Sequence, residues 1–290
     1  DTIETKQLAV TTEPVIRGAK KMYEIAEIVT PTSKAFCGND IALLRLNDNI
    51  PATEAETAIP VVNFSISDSS RLSGEIAALG YGITAPLAKD QGTRHIRQSI
   101  DIICIPGNDN YDCTQTYYST LIDQKSEFIT AGYVCSGDSG GGAFDQTSFA
   151  STGQPFVLGA LSRGPMTDEK CLAAIYSRTD AHKDLIINAG KKAADLGGYP
   201  SADWVKGIAP AALPASNSKA ATKPIAGCTG DVCTETDATE PTANGTAADS
   251  QITKTTEGCS AAPGSASASN GALFGLAFAA ALAISRRRKA

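Results

Sequence analysis

Cys135-Ser136-Gly137-Asp138-Ser139-Gly140-Gly141-Gly142-Ala143-Phe144 is the stretch from which the rest of the chain can be read. Three consecutive glycines cannot hold a helix, and they weaken a strand. What they offer is a backbone free to turn sharply and to come close to other groups. A serine set among them is held out on a tight turn, with backbone N–H groups pointing into the same space. Acyl transfer needs that geometry: a hydroxyl to attack a carbonyl, and N–H donors where the oxyanion forms. Gly-x-Ser-Gly alone is equally a surface loop. The full run, after a cysteine and before an apolar pair, is a much rarer pattern.

The whole chain sets bounds on what that stretch can serve. It has 290 residues, 42% hydrophobic and 19% charged, enough for one domain of about 200 residues and a further segment. A net charge of −6, with the single basic run at the extreme C-terminus, argues against nucleic acid as a partner. Eight cysteines at irregular spacing, no paired Cys-x-x-Cys sets and two histidines fit disulfides better than a metal, and an oxidising, secreted setting follows. No metal and no cofactor are expected. Asp1-Thr2-Ile3-Glu4 is neither a charged nor an apolar leader segment, so processing or a truncated start is expected.

Gly137-Asp138-Ser139-Gly140-Gly141 resembles the nucleophile loop of the trypsin/chymotrypsin-like serine proteases. Upstream, Asn39-Asp40-Ile41-Ala42-Leu43-Leu44-Arg45-Leu46 reads on its own as a buried strand after a turn. It is also how that family writes its catalytic aspartate, and the order Asp then Ser is the family's own. The resemblance implies an all-β fold of two antiparallel barrels, the first incomplete, closed by a C-terminal helix. It spans residues 1–192.

Other segments fall in with this. Residues 6–10 and 22–29 alternate as strands, bounded by Gly18 and Pro31. Ala77-Ala78-Leu79-Gly80-Tyr81-Gly82 resembles the strand that opens the second barrel, and residues 96–103 alternate again. Cys104 and Cys113 enclose an Asn/Asp-rich loop that reads as a turn rather than a calcium loop, with a local disulfide between them. Residues 156–164 resemble the cleft-lining strand, which would pair with an extended peptide. Residues 171–179 resemble the last barrel strand, and residues 182–194 a terminal helix.

The resemblance also assigns roles. Ser139 is the nucleophile and Asp40 the carboxylate that orients a histidine; the N–H groups of Gly137 and Ser139 form the oxyanion hole. Asp138 receives the amine created by zymogen cleavage, and Cys135–Cys171 braces the pocket. Tyr133 at the pocket base speaks against a Lys/Arg preference; Ser162, Arg163, Gly164 and Ala174 complete the pocket, with Arg163 a weak pointer to acidic side chains. The family's general-base histidine lies upstream of its aspartate, whereas His95 and His182 both follow Asp40 and read as ordinary polar residues. The expectation is an N-terminally incomplete serine endopeptidase, inactive on its own, with Cys37's partner lost in the same piece. A non-catalytic binding or adhesion module on the same fold is the rival; an unrelated β-domain is a third possibility.

From residue 193 to 258, Ala, Thr, Pro, Ser and Gly dominate, a composition expected to form a disordered linker in which Cys228 and Cys233 have the spacing of a small disulfide loop. Residues 259–290 then run from Cys259 through a Ser/Ala spacer and the apolar run 272–284 to Arg286-Arg287-Arg288-Lys289. That order resembles myxobacterial-type C-terminal sorting signals: a short hydrophobic helix, transiently in the membrane, removed by a sorting protease near the cysteine. A weak tail anchor is the alternative, since a run of about 13 residues is short for a bilayer. The expected partners are a protein or peptide substrate, an activating protease and the sorting protease, with the protein secreted or attached at the cell surface.

Overall fold

Between Tyr23 and Ile25 the side chains alternate in the structure as they do in the sequence: Tyr23 and Ile25 are buried, Glu24 is exposed. In the computed structural model, which describes residues 3–212 except 34, 112, 114–120, 152 and 153, this segment is strand β2 (Tyr23–Val29). It is the middle of a three-stranded antiparallel sheet, between β1 (Ala9–Val10) and β3 (Leu43–Leu46). The strand expected over residues 6–10 is only two residues long. Thr5–Gln7 instead form a 3-10 turn, closed by the Gln7 side chain accepting from the Glu4 N–H at 2.7 Å.

The second unit is a closed six-stranded antiparallel barrel. Its strands β5 (Glu75–Gly80), β6 (His95–Cys104), β7 (Glu127–Ala131), β8 (Gly142–Asp145), β9 (Phe156–Arg163) and β10 (Ala173–Arg178) run in the order β10-β7-β6-β5-β8-β9, and β9 returns to pair with β10. A two-residue strand, β4 (Ile59–Pro60), adds in parallel to β9. Ile76, Ile100, Phe128, Leu158 and Tyr176 fill the interior, each less than 2% exposed, and each contributes about 1.5–3 kcal/mol by leaving water. Closure removes the free strand edges that an open sheet would expose.

Among the described residues, two α-helices dress this body. Helix α1 (Gln146–Ala150) starts at Asp145, whose buried carboxylate accepts from the Ser148 N–H at 2.8 Å and from the Ser73 N–H at 2.8 Å. Helix α2 (Lys183–Gly197) ends at Gly198, which has φ +64°. The chain does not leave the domain there. Trp204, 8% exposed, packs with Ile41, Val62 and Ile186, and Asn63 donates to the Trp204 carbonyl at 2.8 Å. The linker expected from residue 193 therefore starts too early, because one tryptophan ties residues 198–208 back onto the body. Cys228, Cys233, Cys259 and the apolar run 272–284 lie outside the described residues. Among the described residues, no helix is long and apolar enough to cross a membrane.

Cys104–Cys113 and Cys135–Cys171 are disulfides, as the sequence led us to expect. Cys37 is disulfide-bonded too, which corrects the expectation that its partner is lost.

Candidate active site

The candidate nucleophile loop is built by glycine geometry. Gly137 has φ +93° and Gly140 φ +81°, values that glycine adopts without strain. Asp138 N–H donates to the Cys135 carbonyl at 3.1 Å, and Gly141 N–H to the Asp138 carbonyl at 2.8 Å, so two successive turns carry the chain past Ser139 into β8. The loop is pinned to β9: Gly140 N–H donates to the Leu161 carbonyl at 2.7 Å, and Leu161 N–H to the Gly141 carbonyl at 2.8 Å. Ser139 is half-buried. Among the described residues, nothing accepts a hydrogen bond from the N–H of Gly137 or of Ser139. Both N–H groups are thus unclaimed, and an oxyanion would need such donors.

Asp138 faces the other way, into a cradle at the end of β5. Its Oδ1 accepts from Gly82 N–H at 2.7 Å, and its Oδ2 from Cys135 N–H at 2.9 Å. A Cβ on Gly80 would stand 1.9 Å from Oδ1, so only glycine admits the carboxylate. Burial pushes the Asp138 carboxyl up, and the two backbone donors hold it partly down. Tyr176 of β10, stacked on Phe128 at 5.2 Å between ring centroids, is pushed above its ordinary range by burial and then by the Asp138 charge. The sequence showed Gly80-Tyr81-Gly82 only as a strand signature; its role as a carboxylate cradle emerges from the fold.

Asp40 enters from the first unit. Its carbonyl accepts from Ser177 Oγ at 2.8 Å, and its Oδ2 accepts from Ser162 Oγ at 2.7 Å. Ser162 follows Leu161, the residue that pairs with the nucleophile loop, so β9 carries both the clamp on that loop and the donor to Asp40. Burial raises the Asp40 carboxyl, while the Ser162 hydroxyl and the Arg163 guanidinium draw it back down. Ser162, expected in the pocket, is 7% exposed and turned to Asp40.

Three further residues expected at the pocket have defined surroundings in the structure. Arg163 forms a two-pronged ion pair with the fully buried Glu127, at 2.7 and 2.9 Å. Tyr133 is 42% exposed with φ +86°, and the Arg97 guanidinium lies 4.4 Å from its ring centroid. A Cβ on Gly164 would lie 2.2 Å from the Ala173 carbonyl oxygen, so glycine lets β9 close on β10 there. Ala174, beside that contact, is fully buried.

Neither histidine hydrogen-bonds Asp40. His95 starts β6, opposite Gly80. His182 bonds the Gly38 backbone, its Nε2 is buried without a hydrogen-bond partner, and burial lowers its pKa. Among the described residues, no cluster of His, Cys, Asp and Glu is arranged to hold a metal ion.

Comparison with known proteins adds two findings. No curated protein matches the chain. The trypsin family, however, matches residues 5–186. With a closed antiparallel barrel delivering the Gly-Asp-Ser-Gly-Gly turn, that match over most of the chain makes it a member of the trypsin family of serine proteases.

Proposed function

We propose that this chain is the serine-bearing part of a secreted, surface-attached endopeptidase that cleaves peptide bonds through an acyl-enzyme on Ser139. The observation that carries the proposal is the pairing of Ser139 with two unclaimed backbone N–H donors, on a loop clamped to the strand whose Ser162 holds Asp40. In this mechanism Ser139 Oγ attacks the scissile carbonyl carbon and gives its proton to an imidazole base. The N–H groups of Gly137 and Ser139 hold the resulting oxyanion. The carbon–nitrogen bond then breaks, the base returns the proton to the departing amine, and water hydrolyses the ester by the same route. Asp40 orients the base and stabilises its charged form.

We place the base on a histidine outside this sequence, since neither His95 nor His182 is bonded to Asp40. Asp138 serves as the carboxylate that responds to an activating cleavage, Cys135–Cys171 braces the loop from behind, and a C-terminal signal at Cys259 delivers the protein to the surface through a sorting protease. A non-catalytic binding module on the same fold is the second reading, favoured by the same missing histidine. It gives no reason for the Asp138 cradle or for Ser162 on Asp40.

The test is proteolysis by the natural full-length protein. Hydrolysis of a casein substrate that disappears in Ser139→Ala supports the enzyme. A folded, processed parent without hydrolysis supports the binding module.

A further inference from the structure

The most heavily partnered buried charge pair lies behind Asp40. Glu127 is completely buried at the start of β7, and Arg163, its side chain 12% exposed, is the last residue of β9. Replacing such a pair by apolar residues is often neutral or stabilising, so its presence calls for a reason beyond stability.

Its hydrogen bonds supply one. Arg163 Nη1 donates to Glu127 Oε1 at 2.7 Å and also to Ser162 Oγ at 3.0 Å. Arg163 Nη2 donates to Glu127 Oε2 at 2.9 Å and to the Leu121 carbonyl at 2.8 Å. A guanidinium only donates, and a serine hydroxyl has a single proton. Ser162 must therefore accept from Arg163, and its proton is left for Asp40 Oδ2, 2.7 Å away. The relay has one direction, from guanidinium to hydroxyl to carboxylate. Glu127 acts on the backbone as well: its Oε1 accepts from Gly38 N–H at 3.0 Å, two residues before Asp40. Phe36 covers the guanidinium, 5.8 Å from ring centroid to Arg163.

We propose that Glu127 and Arg163 are positioning residues for Asp40, holding the Ser162 proton on its carboxylate and its backbone against β7. This rests on the reading of Asp40 and Ser139 as members of one catalytic site. The charged groups acting on Asp40 are Arg163 from β9, which favours its ionised form, and Glu127 from β7, which opposes it. His182, at the start of α2, faces Asp123, Asp180 and Glu127 instead.

The experiment uses the full-length protein and the double variant Glu127→Gln/Arg163→Met, which removes both buried charges together and leaves neither unpaired. Three readings are taken: the thermal midpoint, the pH titration of the 13C-labelled Asp40 carboxyl, and the pH dependence of fluorophosphonate labelling at Ser139. The expected result is a folded protein in which Asp40 titrates at higher pH and labelling is about tenfold slower, the effect of losing one hydrogen bond to a charge. Its acid limb moves to higher pH, and adding Ser162→Ala, which removes the donor itself, raises the Asp40 titration further. If the double variant unfolds, Arg163→Lys keeps the charge but loses the fork, and it is expected to shift Asp40 in the same direction by less. An Asp40 titration and labelling profile equal to the parent's, in whichever variant folds, overturns the proposal. If Asp40's titration moves while the parent itself never labels at Ser139, the positioning pair stands and the protease reading falls.

Discussion

Gly82 donates its backbone N–H to Asp138 Oδ1 at 2.7 Å, so the end of β5 holds the carboxylate next to the candidate nucleophile. Two glycines make that possible. Beside Gly80 a Cβ would meet Oδ1 at 1.9 Å, and beside Gly82 it would meet Asp138 N at 2.6 Å.

Gly80→Ala is therefore expected to expel Asp138 from its cradle, costing about 1–3 kcal/mol of stability and most of the Ser139 labelling. Gly92→Ala is the control. It sits at φ +97° with nothing within 4 Å of the added carbon, so it carries only backbone strain, about 1–2 kcal/mol, and labelling stays at the parental rate. Chemical denaturation and labelling rates on the same preparations separate the two effects.

Two carboxylates are expected to respond to pH in opposite senses. Burial raises Asp40, so the folded state binds its proton more tightly than the unfolded chain does. Its contribution is fully present below the unfolded value, near 3.9, and is lost as pH rises through the folded value. Asp40→Asn, which still accepts from Ser162, should melt above the parent at pH 7, with the gap closing toward pH 4 and below. Glu54 is held down to about 2, chiefly by its hydrogen bond from Lys21 and then by those from Thr12 and Tyr23. Its contribution is present above the unfolded value and lost as pH falls through about 2. Glu54→Gln should melt below the parent at pH 7, by a margin that added salt reduces and that vanishes at strongly acidic pH. Melting curves across the pH range check both signs.

Cys135–Cys171 ties the start of the nucleophile loop to the approach to β10, with 36 residues of sequence separation. Cys135→Ser/Cys171→Ser is expected to lose about 3 kcal/mol by denaturant unfolding, and to slow Ser139 labelling more than Cys104→Ser/Cys113→Ser does. The second bond spans a sequence separation of only 9, from the end of β6 into the loop after it, so its loss should touch stability more than chemistry.

Much of this was legible in the sequence because local chemistry and fold agreed there. The glycine turn at Ser139, the alternation of β2 and β6 and the apolar run of β9 each announced their element. Strand β7 did not, because Glu127 opens it with a carboxylate that is fully buried, and only a partner 36 residues away in sequence explains it. Arg163 read as a charge for substrate for the same reason: pattern shows a residue's type but not the long-range partner that consumes it. The left-handed backbone of Tyr133, at φ +86°, had no signal in the sequence, because a positive φ is rare outside glycine. The linker boundary slipped because a single Trp204, set among small residues, anchors a segment whose composition otherwise reads as disordered.

The most direct measurement is fluorophosphonate labelling of the natural full-length protein, with the modified peptide located by mass spectrometry. The account predicts one phosphonylated residue, Ser139, and no labelling in Ser139→Ala. A processed, folded parent that takes no label, or a Ser139→Ala variant that labels as well as the parent, would contradict it.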